Sequence, residues 1–429
     1  MTGHSDETTS DETTSSPGTD PKAADDWRGL GDLISLATER LTTLTEDMHQ
    51  AIAERWFGLI GPRAAPLRRA YQASTARIYE SVRTSGAALG SAVGWGAEAA
   101  GGKNGPRPLW RSSLGSGIQA TANAVWGDEF ERRRSNLRIE LGLRDAAGEL
   151  IGQDPYTLSG AFSMPTARLV VLLHGLGETE QCWQGQAGAD SLGDLLATDS
   201  FTPLLVRYNT GRHVSDNGVA LAALLEGITE GWPVAVEEVA LLGHSMGGLV
   251  ARISIYAGRE AGHRWTGMVR HLITLGSPHL GAPLEKGANL ISRSLGLVPV
   301  TRPLGEFLDH RSAGIKDLRF GAIREDDWNR TDNGALPGDI VGDAPLPVGI
   351  EQHFVAGVIT AEPTHPVGVL VGDLIVRTES GTGRGRRRHV EATDIRVVGG
   401  RRHPDLPHDP AVHAQIREWL SAKTGDHPG

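Results

Sequence analysis

The sequence predicts an α/β protein: a mostly parallel sheet covered by helices on both faces, preceded by a helical hairpin and interrupted by one long insertion. Three observations predict it. Short apolar runs, such as Leu169–Leu173 and Val239–Leu242, alternate with longer stretches of helical spacing over about 136–425. One run, Val239-Ala240-Leu241-Leu242, enters a tight Gly243-His244-Ser245-Met246-Gly247 turn and then a helix to about Ala261, with Leu249, Ile253 and Tyr256 on one face. Between Ala282 and Leu346 the alternation stops and Gly, Pro and Ser dominate.

Composition bounds the function classes. A chain of 429 residues with 39% hydrophobic and 22% charged residues can bury a large core. The net charge of −10 argues against nucleic acid as a partner. Much of that charge lies in the first stretch, where Asp6, Glu7, Asp11, Glu12, Asp20, Asp25 and Asp26 face only Lys22. The single cysteine, Cys182, excludes an intramolecular disulfide and reads as a small packed residue. No segment approaches the roughly 20 apolar residues that span a bilayer. The first residues lack the basic patch and apolar run of a secretory signal. A cytoplasmic location is the expectation.

In chain order, residues 1–26 are an acidic, nearly apolar-free tail expected to be disordered. Leu33, Ala37, Leu41, Leu44, Met48, Ile52, Trp56 and Leu59 then make a helix stripe ended by Gly61-Pro62, and Leu67, Tyr71, Ile78, Val82, Leu89 and Val93 a second one. This hairpin is expected to pack on protein; a membrane-surface role is the alternative. The whole N-terminal helical region is set at 27–135, with a further helix over about 118–133. Leu137, Ile139, Leu141 and Leu143 alternate as a half-buried strand, and Glu149–Gln153 returns as a second. Arg168–Leu173 and Thr202–Arg207 are strands, Gly218–Glu230 a helix, and Leu272–Leu275, Gln352–Ile359 and Asp394–Val398 later strands. Asp409 caps a last helix that has Pro410 at its first position. The insertion, about 282–346, sits where a lid over the site is expected, with a plain surface excursion as the alternative.

The turn at Ser245 carries the chemistry. With 56 glycines, a bare G-x-S-x-G is expected by chance on the order of half a time, so context decides: an apolar strand before it and an amphipathic helix after. A strained turn exposes the serine Oγ, and Gly243 and Gly247 let strand and helix backbones approach. Such a serine needs a base and an orienting carboxylate later in the chain, both on loops at strand ends. Asp373, in Gly372-Asp373-Leu374-Ile375-Val376, follows a late strand; Asp339, Asp343 and Glu362 compete. His403 follows the last strand, whereas His389 precedes it, His413 lies in the helix and His408 competes. Two oxyanion donors are expected, the N–H groups of Met246 and of Leu176 in His174-Gly175-Leu176-Gly177. Arg384, Arg386, Arg387 and Arg388 form a basic run, read as a solvated loop against an anionic headgroup contact.

Together His174-Gly175-Leu176-Gly177-Glu178, Tyr208-Asn209-Thr210-Gly211-Arg212, Gly243–Gly248 and Gly276-Ser277-Pro278-His279-Leu280-Gly281-Ala282-Pro283 resemble an α/β-hydrolase of the lipase/esterase type. The nearest resemblance is to bacterial lipase-like and GPI inositol-deacylase-like serine hydrolases. It covers about 136–422 and departs at Pro404 and Pro407 and in the N-terminal helices. It implies an α/β-hydrolase fold and a Ser245-His403-Asp373 triad that cleaves lipid-like or other hydrophobic acyl esters without metal or organic cofactor. The alternatives are an acyltransferase on the same triad and a non-catalytic binding module. Peripheral membrane contact and oligomeric state stay open.

Overall fold

A computed structural model describes residues 28–39, 113–185, 189–281, 312–320, 324, 344–385 and 388–421, with a few single positions between 69 and 91. Residues 28–39 belong to one compact unit and the described residues from 113 onward to another. Residues 28–39 are helical, with Leu36 buried and Leu33 and Ala37 half-buried. The inward edge therefore runs through Leu36 as well as the predicted stripe. The rest of the hairpin, the tail 1–26 and most of the insertion lie outside the described residues.

The second unit is built on eight strands in the order β2-β1-β4-β3-β5-β6-β7-β8. They are β1 (Gly142–Arg144), β2 (Leu150–Ile151), β3 (Arg168–Leu173), β4 (Thr202–Arg207), β5 (Glu238–His244), β6 (Val269–Leu275), β7 (Glu351–Val358) and β8 (Asp394–Gly399). From β4 through β8 every pairing is parallel; β1 runs antiparallel to both of its neighbours. The continuous apolar runs of β3 and β5 follow from burial on both faces. Leu169, Val171 and Leu173 enter one core with α4 (Val214–Gly231) and α5 (Met246–Glu260). Val170 and Leu172 enter the other with Leu192, Leu196, Ile416 and Trp419. Each fully buried side chain of this kind contributes roughly 1.5–3 kcal/mol.

Two expectations are corrected here. The strand expected from Leu137 begins only at Gly142. Leu137 and Ile139 are buried, but their backbone groups are taken by α1 (Ser113–Arg132): Asn123 Nδ2 donates to Leu137 O at 2.7 Å, and Ile139 N–H donates to Asn123 Oδ1 at 3.1 Å. Helix α1 is also longer than expected and breaks its helical geometry at Trp126. The final helix, α9 (Pro410–Ser421), starts as expected, with Asp409 Oδ1 accepting from Ala411 N–H at 2.7 Å and Val412 N–H at 3.1 Å.

Between these lie α2 (Pro155–Ala161), α3 (Leu192–Thr198), α6 (Ala313–Phe320), α7 (Pro366–Val371) and α8 (Thr378–Gly381). Helix α6 is the longest described part of the insertion, and it is a packed element. Ser312 Oγ donates to Ala124 O at 2.6 Å, Asp317 accepts from Val214 N–H at 2.8 Å, and Leu318 joins the core. Among the described residues no helix is long and apolar enough to cross a membrane.

Candidate active site

Strand β5 ends at His244, and Ser245 turns directly into α5 with φ 53° and ψ −119°. A serine at that positive φ costs of order 1–3 kcal/mol, which the packed surroundings must sustain. Three glycines make the turn possible. A Cβ on Gly243 would come within 2.2 Å of Gly248 N, and one on Gly247 within 2.4 Å of Leu173 O. A Cβ on Gly248 would strike Ser277 Oγ at 2.1 Å. That hydroxyl holds the turn by donating to Ser245 O at 2.7 Å. Ser245 itself is 8% exposed.

His403 opens the short helix that follows β8, and Asp373 lies in the turn after α7. The structure brings these two together: His403 Nδ1 donates to Asp373 Oδ2 at 2.7 Å, and His403 N–H donates to Asp373 O at 3.2 Å. Both residues are buried. The other carboxylate oxygen, Oδ1, accepts from Ile375 N–H at 3.0 Å and Val376 N–H at 2.8 Å, which orients the acid. Gly372, at φ 69°, is required by this turn, since a Cβ there would meet Val376 O at 1.9 Å. Of the competing residues, Glu362 and His408 are described and neither takes part in this pair; Asp339 and Asp343 lie outside the described residues.

The loop after β3 passes beside the serine: a Cβ on Gly175 would sit 3.0 Å from Ser245 Cβ. Gly175 N–H donates to Glu178 Oε2 at 2.8 Å and Gly177 N–H to Thr210 Oγ1 at 3.2 Å. Among the described residues no group accepts from the N–H of Leu176, which lies between them. Met246 is the first residue of α5, where an N–H has no acceptor within its own helix. The loop is clamped by His174 and Tyr208. Their rings stack at 4.4 Å, Tyr208 Oη donates to His174 O at 2.7 Å, and Tyr208 N–H donates to His174 Nε2 at 3.2 Å. Burial pushes the His174 pKa down to about 4, so the ring is neutral and accepts.

A second acid–histidine pair adjoins the first. His244 Nδ1 lies 2.9 Å from Glu178 Oε2, and its Nε2–H donates to His403 O at 3.2 Å. The rings of His244 and His403 are 4.8 Å apart. Burial alone would raise the Glu178 carboxyl, but the charge and hydrogen bond of His244 and the Gly175 N–H hold it at about 2. Burial works against a charged His244, yet Glu178 beside it raises the pKa above its ordinary value. Glu178 and His244 lie in two motifs 66 residues apart, and only the fold makes them meet. The signal available was a carboxylate in the loop after β3 and a histidine immediately before the serine.

Cys182 is packed, with its thiol pushed well above the usual range by burial. In the basic run, Arg388 is not a solvated side chain: its Nη1 donates to His279 O at 3.4 Å.

Fold and site together define the class: the chain has an α/β-hydrolase fold, with its sharp strand-to-helix turn at the carboxyl end of the parallel sheet. Residues 208–297 match the PGAP1-like alpha/beta domain family, a stretch that contains Ser245 and Met246 but not Leu176, Asp373 or His403. No curated protein matches the sequence. Among solved structures the chain is similar to an esterase from Thermogutta terrifontis, 16% identical over 60% of this chain and 90% of that one, with TM-score 0.34. It is also similar to the Staphylococcus hyicus lipase, at 13% identity over 60% and 95% of the two chains and TM-score 0.34. A monoglyceride lipase from Saccharomyces cerevisiae is 13% identical over 61% and 89%, with TM-score 0.34.

Proposed function

We propose that the protein is a serine hydrolase of carboxylic esters, with Ser245 as nucleophile, His403 as base and Asp373 as the orienting acid. The observation that carries this reading is the buried 2.7 Å contact of His403 Nδ1 with Asp373 Oδ2, on the loops that end next to the strained Ser245 turn. With Nδ1–H held by the carboxylate, Nε2 bears the lone pair that a base needs. Ser245 Oγ attacks the ester carbonyl as its proton passes to His403 Nε2. The N–H groups of Leu176 and Met246 stabilise the tetrahedral oxyanion. The proton then goes to the leaving alkoxide, and an acyl group remains on Ser245. Water, deprotonated by His403, releases the acid in the second half of the cycle. The resemblance of the motifs to those of lipases and esterases supports hydrophobic acyl esters as the substrate class.

The test is labelling with a fluorophosphonate probe. Wild type should label and turn over p-nitrophenyl esters, with a preference that follows acyl length. Ser245→Ala should do neither, losing at least about three orders of magnitude in turnover while staying folded. Near-wild-type turnover in that variant would sink the assignment.

A further inference from the structure

At the end of the sheet away from Ser245, three ligand-type side chains meet. His271 lies near the start of β6, Glu351 opens β7 and His353 follows two residues on. The strand register sets His271 opposite Glu351 and Ile273 opposite His353. Alternation then places all three on one face, the face on which Ile273 and Val355 pack with Ile416 and Trp419 of α9. Glu351 Oε2 is 3.5 Å from His271 Nδ1 and 3.4 Å from His353 Nε2. One donor atom from each residue lies within 4.8 Å of the others. The site is nearly dry: His271 is 1% and His353 0% exposed.

We propose that His271, Glu351 and His353 form a structural binding site for a divalent transition-metal ion of the zinc type. Two imidazole nitrogens and one carboxylate oxygen are a donor set that suits zinc better than magnesium or calcium, which prefer oxygen. Zinc bonds of about 2.0–2.1 Å in a tetrahedron separate neighbouring ligand atoms by roughly 3.4 Å, close to the 3.5 and 3.4 Å edges at Glu351 Oε2. His271 Nδ1 and Glu351 Oε2 make no hydrogen bond in this buried setting. Native folds seldom leave such atoms unsatisfied, and one ion would satisfy both.

The surroundings are those of a ligand shell. Glu238 Oε1 faces the other ring nitrogen of His271 at 3.7 Å, and Glu238 is held by Arg168 Nε at 2.7 Å. A carboxylate on the far nitrogen directs a histidine's lone pair toward the metal. Trp419 stacks on His353 at 4.5 Å with 12° between the planes, and its Nε1 donates to Asp394 Oδ2 at 3.0 Å, which fixes the ring. The ion would tie β6 to β7 at the far end of the sheet, with Trp419 of α9 stacked on one of its ligands, and takes no part in the ester chemistry.

The test uses the full-length, tag-free protein stripped of metal by a chelator and titrated with Zn2+ or Co2+. The expected result is one zinc retained per chain through gel filtration, a higher melting temperature, and the strong visible bands of tetrahedral Co2+. Glu351→Gln and His271→Gln should bind zinc at least about 100-fold more weakly, and Glu238→Gln about 10- to 100-fold more weakly. Substoichiometric zinc, unchanged affinity in Glu351→Gln and His271→Gln, or only the weak bands of octahedral Co2+ would overturn the proposal. The cobalt spectrum of the wild type decides the matter if the variants do not fold.

Discussion

Asp373→Asn changes one atom of the buried pair with His403, and its consequence can be worked from the geometry. Asp373 Oδ1 accepts two backbone N–H groups, from Ile375 and Val376. The carbonyl of an asparagine must stay there to satisfy them, so its NH2 group faces His403 Nδ1 at the position of Oδ2, 2.7 Å away. A donor then meets a donor. His403 escapes by moving its proton to Nε2, the atom that accepts from Ser245 in the proposed mechanism. Where this wrong-tautomer effect has been isolated in a serine protease triad, it lowers kcat by about 10,000-fold, equal to roughly 5.5 kcal/mol of transition-state stabilisation. The fold should survive, because both backbone donors keep their acceptor. The assay is kcat and KM on a short-chain p-nitrophenyl ester alongside the melting temperature. A folded Asp373→Asn protein within tenfold of wild-type kcat would refute the assignment and move the acid to another carboxylate.

The Glu178–His244 pair makes a prediction about pH. The folded-state pKa of Glu178 lies at about 2 against an ordinary 4.5, so its stabilisation is present above pH 4.5 and is lost as pH falls toward 2. Urea melts of Glu178→Gln should lack this part of the acid destabilisation. His244 has the opposite sign: its raised pKa contributes stability fully below pH 6.5, which fades as pH rises through the raised value. Wild-type melts from pH 6 to 9 should lose this contribution, and those of His244→Gln should not. Gly248→Ala should damage turnover more than stability, since its Cβ displaces the Ser277 hydroxyl that holds the serine carbonyl; unchanged kcat would show that the contact does not position Ser245.

What was legible in the sequence was whatever depends on neighbours along the chain. The apolar runs of β3 and β5 announce strands buried on both faces, and the Gly243–Gly247 turn announces a strand that must switch abruptly into a helix. Asp409-Pro410 announces a helix start, because a cap is made within three residues. Strand edges are less legible. Leu137 and Ile139 alternate as a strand would, but Asn123 of α1 occupies the hydrogen-bonding groups a neighbouring strand needs. No local pattern records such competition. The order Ser, Asp, His along the chain narrowed the acid and the base to a few residues, yet the choice among them is a distance between two loops. Only the sheet brings His403 Nδ1 to Asp373, Glu178 to His244, and His271 to Glu351 and His353. Parallel strands and their crossovers bring the partners together from distant parts of the chain, the first two pairs at the Ser245 end of the sheet and the His271, Glu351 and His353 cluster at the opposite end.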